Sequence, residues 1–253
     1  MNFSTRQSWL GNLYHGRFTN AIHQSFHGGG YSNFGYWTRS TVVGKHGDHL
    51  VDQLLNLLPK TEGNILDVAC GQGGTTKRLM ASFSPSNITA INLFEDQLCA
   101  AKELAPGCRF LQMDATKLSF DDDTFDAIIC VEAAFHFETR EDFLKESWRV
   151  LKPGGFLILA DILVTGPCQE IPEENVVSHA EYEETIKRVG FPSPEIVSVL
   201  DYTWKPLRRR IFWYTLKMKQ WKAAIRSWRT LRGWDKRIVD YLLVSAQKPS
   251  QKY

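Results

Sequence analysis

Long apolar runs are missing from this chain of 253 residues. No stretch approaches the roughly 18 consecutive apolar residues that a membrane-spanning helix needs. The opening MNFSTRQSWLGNLYHG lacks the apolar middle of a secretory signal, so the expected compartment is the cytoplasm. Cysteine is sparse and unpatterned. The 5 residues, Cys70, Cys99, Cys108, Cys130 and Cys168, are odd in number and form no Cys-x-x-Cys pair. That argues against a disulfide framework or a zinc cluster, and no metal site is expected. Internal repeats and low-complexity tracts are absent. An overall excess of one charge is absent too, at a formal +2. The balance is uneven, however. Residues 205–237 hold twelve Lys or Arg and a single acid, Asp235, which leaves the rest of the chain with 18 basic against 27 acidic residues.

What is present is an alternation. Short apolar runs at 64–69, 88–93, 109–113, 125–131 and 156–162 read as strands, and helical patterns fall at 48–58, 75–83, 95–104 and 139–151. Nearly continuous apolar strands spaced by helices predict a parallel sheet covered on both faces, wound doubly. A helix over 178–189 opens on Ser178 three residues before Glu181, the pattern of a capping box. Residues 195–200 and 239–246 read as two more strands, the last of them antiparallel. The turn RVLKPGGF at 149–156 leads into the fifth strand, with Gly154 and Gly155 as turn residues. The expected division is an N-terminal arm at 1–50, a core at 51–203, a basic Trp-rich helical lid at 204–238, and a last strand and tail at 239–253.

A strand, a glycine loop and a helix in succession make a nucleotide-binding arrangement. Here the loop is LDVACGQGGTT, residues 66–76. A dinucleotide fingerprint wants a third glycine where Thr76 stands, and an acid at the end of the second strand where Asn92 stands. Both departures disfavour a nicotinamide-dependent oxidoreductase. Asp67 precedes the glycines, where a carboxylate suits the positive end of an amino-acid cofactor. The loop resembles motif I of the class I S-adenosylmethionine-dependent methyltransferases, with Ala69 in place of the first glycine. The stretches ITAINLFEDQ, MDA, DDDTFDAIICV and RVLKPGGF resemble further motifs of that family in the same order, over about residues 60–165. The resemblance implies a Rossmann-like seven-stranded sheet with S-adenosylmethionine as cofactor. It further implies contacts from Asp67, Ala69, Gly71 and Gly73 in the loop, ribose contacts from Asn92 and Gln97, and an adenine site from Leu93, Asp114 and Ala115.

In an open α/β sheet the ligand sits beyond the carboxyl ends of the strands. VEAAFHF at 131–137 lies there. Glu132 and His136 are four apart and would share a face if the turn is helical. Histidine titrates near neutrality, so His136 is the candidate general base, with Glu132 beside it. The segment also resembles a subgroup acting on sugars, polyketides, sterols, quinones and glycolipids. YSNFGYW at 31–37 resembles that subgroup's lead-in, in which Tyr31 and Tyr36 would close over the methionine end of the cofactor; an aromatic staple for the arm is the other reading. Between 204 and 234 the residues Ile211, Tyr214, Met218, Trp221, Ile225 and Trp228 recur at spacings of three and four, as one helical stripe. That segment is expected as a substrate lid, with peripheral membrane contact the alternative. Nucleic acid is disfavoured by the acidic remainder. The implied reaction is methyl transfer to a small-molecule acceptor, oxygen first, then carbon, on a prenyl, quinone or sterol-like substrate, then nitrogen. A non-catalytic cofactor-binding partner subunit is the rival outside enzymology.

Overall fold

The structure is a computed structural model that describes residues 21–168 and 170–250. The first twenty residues of the expected arm and the last three of the tail lie outside the described residues. Seven strands form one sheet in the order β3-β2-β1-β4-β5-β7-β6. They are β1 (Ile65–Val68), β2 (Ile88–Asn92), β3 (Arg109–Gln112), β4 (Phe125–Val131), β5 (Leu151–Val164), β6 (Glu195–Ser198) and β7 (Ile238–Gln247). β1 to β5 pair in parallel, whereas β7 runs against both β5 and β6. Every residue of β1 is buried, as are Ala127–Cys130 of β4 and Leu157–Val164 of β5. This two-sided burial is what the unbroken apolar runs encode.

The helices are α1 (Ala21–His27), α2 (His46–Leu55), α3 (Gly74–Leu79), α4 (Glu95–Leu104), α5 (Arg140–Val150), α6 (His179–Val189), α7 (Trp204–Lys217) and α8 (Trp221–Trp234). The capping box of α6 is formed as expected: Ser178 accepts from the Glu181 amide, and Glu181 accepts from the Ser178 amide. Among the described residues no helix is long and apolar enough to cross a membrane.

Two expectations are corrected. β5 begins at Leu151, not Phe156, because Leu151 already pairs with Phe125 before a register shift carries the chain past Gly154. The stripe from Ile211 to Trp228 is not one helix. The chain breaks after Lys217, with Lys219 in the left-handed region at φ 58°. It then turns back, so that Phe212 meets Trp228 at 5.4 Å and Arg208 lies over the Trp228 ring at 4.4 Å. Packing of α8 on α7 outweighs continuation of the stripe, which leaves Met218 and Trp221 exposed.

Candidate active site

β1 pairs with β2 on one side and β4 on the other, so the connections diverge at its carboxyl end. A cavity of about 790 Å³ opens there, a size that encloses a drug-sized ligand. One end is walled by the glycine loop and the ends of β2 and β3, the other by α7 and α8.

Ten of the thirteen residues singled out in the sequence line it: Tyr31, Ala69, Gly71, Asn92, Leu93, Gln97, Asp114, Ala115, Glu132 and His136. Asn92 Nδ2 donates to Gln97 Oε1 at 2.9 Å inside the wall. This leaves an amide oxygen on Asn92 and an amide NH₂ on Gln97 at the cavity, an acceptor and a donor suited to a pair of hydroxyls. Asp114 Oδ1 accepts from both the amide and the hydroxyl of Thr116, each at 2.8 Å. That Asx turn holds the carboxylate while its second oxygen remains an acceptor.

Asp67, Gly73 and Tyr36 are the three that do not line the cavity. Asp67 is 1 % exposed and accepts from the Thr76 hydroxyl at 2.6 Å. Burial pushes its carboxyl up to about 7 against the pull of that bond. Asp67 thus ties β1 to α3 beneath the loop. Gly73, at φ 87°, faces α4, where an added Cβ would stand 2.9 Å from Ala101. Its smallness serves helix packing. Tyr36 stacks on Tyr202 at 5.1 Å, away from the cavity. The first-glycine position is also explained: Ala69 has φ 58°, a conformation that glycine adopts at no steric cost.

The arm closes the loop side. An added Cβ at Gly30 would stand 2.6 Å from Leu104 and 3.0 Å from the Gln72 carbonyl, so backbone lies directly on the glycine loop. The Tyr31 hydroxyl donates to Asp48 at 2.9 Å, and burial together with that carboxylate pushes its pKa upward. Trp37 is buried, stacked on His46 at 4.2 Å and covered by Arg210 at 4.6 Å. His46 is itself fully buried, and burial pulls it down to about 3, so it packs as a neutral ring. The GYW stretch is therefore an aromatic staple.

Glu132 and His136 are separated by their local backbone. Glu132, at φ 52°, ends β4, and only Ala134–His136 form a single tight turn. Glu132 Oε1 accepts from the Phe34 amide and from the Tyr241 hydroxyl, both at 2.6 Å. His136 Nδ1 stands 2.8 Å from the Glu170 carbonyl. A carbonyl only accepts, so Nδ1 carries a proton, and in the neutral ring the lone pair is on Nε2.

The turn bearing His136 is held from below by residues that no sequence motif marks. Asn175 Nδ2 donates to the carbonyls of Phe135 (3.1 Å) and Phe137 (2.9 Å), on either side of His136. Its Oδ1 accepts from the Arg140 amide at 2.8 Å. The Arg140 guanidinium donates to the carbonyls of Asn175 and Ile162. Its Nε lies 2.8 Å from Asp161, off the N–H axis, and Tyr182 donates to the same carboxylate at 3.0 Å. Arg140 and Asp161 are 4 % and 0 % exposed. At the far end, Ser227, Thr230 and Trp234 of α8 face the cavity with Ile211 of α7. Ile211 belongs to the apolar stripe, whereas Ser227, Thr230 and Trp234 share a helical spacing that no apolar pattern marks.

Residues 66–159 match the family described as Methyltransferase domain. The chain is similar to erythromycin 3''-O-methyltransferase of Saccharopolyspora erythraea, 28% identical over 265 residues that cover 90% of this chain and 86% of that protein. It is 36% identical over 111 residues to phthiotriol/phenolphthiotriol dimycocerosates methyltransferase 1 of Mycobacterium ulcerans, covering 43% of this chain and 40% of the relative. The solved [4+2]-cyclase SpnF superposes with a TM-score of 0.76 at 20% identity over 96% of each chain. That likeness concerns the fold alone.

Proposed function

The chain is a class I S-adenosylmethionine-dependent methyltransferase for a small-molecule acceptor, and from that premise we propose that it methylates a hydroxyl oxygen of a largely apolar, natural-product or lipid-like molecule. The observation that carries the proposal is the contact of His136 Nδ1 with the Glu170 carbonyl at 2.8 Å. With Nδ1–H committed to the Glu170 carbonyl, Nε2 is the atom able to take a hydroxyl proton. Similarity to an O-methyltransferase over 90% of this chain supports oxygen. Leu207, Ile211 and Trp234 give the acceptor end a largely apolar wall, with Arg226, Ser227 and Thr230 among its polar members, which supports a largely apolar acceptor that carries some polar group.

The cofactor supplies a methyl group already activated on a positive sulfur. The residues present fit such a molecule. The Asn92–Gln97 pair would hold the ribose hydroxyls, Asp114 the adenine amine, and Leu93 and Ala115 the ring. Ala69, Gly71 and Tyr31 would flank the amino-acid end. Asp67 and Gly73 act one layer behind, fixing the loop, and Tyr36 acts through the arm. Glu132 is assigned to anchoring the arm, since its Oε1 already accepts two bonds. Helices α7 and α8 form the lid over the acceptor. A cytoplasmic setting fits the five free thiols.

The test is His136→Ala, assayed for methyl transfer across a panel of hydroxylated natural products, with cofactor binding measured by titration. Loss of a general base is expected to lower turnover on the order of 100-fold or more while cofactor affinity holds. Undiminished turnover would remove His136 from the mechanism.

A further inference from the structure

The hairpin of α7 and α8 differs from the rest of the surface. Of the large hydrophobic side chains that are exposed among the described residues, five lie on it: Trp213, Leu216, Met218, Trp221 and Ile225, exposed by 39 to 58 %. All seven residues of the reversal, 216–222, are exposed. The root of the hairpin is pinned. Trp204 Nε1 donates to Asp235 at 2.9 Å, and Arg208 and Lys205 pair with Asp235 and Asp201. The reversal lies about 20 Å along α7 from that root, at 1.5 Å per residue.

The hairpin is also strongly basic. Residues 204–234 contain ten Lys or Arg and no acid. At the root Lys205 and Arg208 have acid partners and Arg210 donates to the Thr38 and Thr41 carbonyls, while Arg209 has no acid partner among the described residues. Lys217, Lys219 and Lys222 at the tip, and Arg229 beyond it, have none among the described residues. An apolar tip ringed by uncompensated cations fits a surface that is apolar inside and anionic at its rim. A tip-to-tip contact between two copies of the chain fits poorly, because both tips would bring the same positive charge. RNA fits less well, because three of the five exposed apolar side chains, Leu216, Met218 and Ile225, are aliphatic and give bases nothing to stack on beside Trp213 and Trp221.

We infer that the tip of the α7–α8 hairpin, residues 213–225, is a docking surface for an anionic lipid bilayer. The inner faces of the same helices wall the acceptor end of the cavity, so docking would bring that end to the membrane. This last consequence rests on the function proposed above; the docking itself does not.

The test is co-sedimentation of the full chain with vesicles of phosphatidylcholine alone and of phosphatidylcholine with phosphatidylglycerol, at low and at high salt. The expected result is binding to the anionic vesicles that falls with salt. The triple variant Lys217→Gln, Lys219→Gln, Lys222→Gln should weaken binding by about fivefold per charge, roughly 100-fold in all. Met218→Ser with Trp221→Ser should weaken it on the order of tenfold or more. These side chains are exposed, so circular dichroism and cofactor binding should match wild type. Failure to bind anionic vesicles at low salt overturns the inference. So does equal binding by wild type and both variants, or a preference for single-stranded RNA. None of these readouts uses methyl transfer, so they separate docking from the proposed reaction.

Discussion

Asn175 offers the sharpest test of how the site is held. Its side chain makes three hydrogen bonds, all to backbone: one to the amide that opens α5, and two to the carbonyls flanking His136. The residue is 1 % exposed. Asn175→Ala removes all three partners at once. A buried polar group left unpaired costs about 1–3 kcal/mol, and a water admitted to the gap would recover part of that. A net loss of about 3 kcal/mol is expected, or roughly 6–12 °C in Tm for a chain of this size. Turnover should fall as well, because the two carbonyl tethers set the height of the His136 ring in the cavity wall. Asn175→Asp restores only an acceptor for Arg140 and sets a carboxylate against two carbonyl oxygens, so it should not rescue. Calorimetry with steady-state transfer kinetics reads both effects. An Asn175→Ala protein with wild-type Tm and turnover would refute the reasoning.

Two further perturbations follow from the glycine loop. The Asp67 carboxyl titrates near 7 in the folded chain against an ordinary 3.8. The folded state therefore holds a proton that the unfolded state has released, and stability present below the ordinary value is lost as pH rises toward about 7. Asp67→Asn should flatten that part of the pH profile in urea unfolding; an unchanged slope would count against it. Ala69→Gly relieves a left-handed alanine at φ 58° and should stabilise by about 1 kcal/mol in the same assay.

The fold was legible because the strongest sequence signal, unbroken apolar runs between helical patterns, has a single physical cause: strands covered on both faces. Boundaries of β2, β4 and α4 came within a residue or two for that reason. The hairpin was not legible. Spacings of three and four run through Met218 to Trp221 whether or not the backbone continues, and only the contacts of Phe212 and Arg208 with Trp228 decide that it does not. In the site, residues adjacent to the glycine loop were readable because their positions follow from the strand ends. Tyr36 was misplaced because an aromatic beside a glycine turn suits a staple as well as a lining. Asn175 could not be found at all, since its partners lie 35 to 40 residues away and are backbone atoms that carry no residue signature.

Glu132 has a consequence for the order in which the molecule is made. Its two partners lie 98 residues earlier and 109 residues later, in the arm and on β7. Tyr241 belongs to the strand laid between β5 and β6, so it is made well after β4 and the glycine loop. Until it is in place the arm lacks one of its clasps, and pairings so distant in sequence form slowly. A chain with its glycine loop already folded thus still has a loosely covered cavity until β7 is laid beside β5 and brings Tyr241 to Glu132.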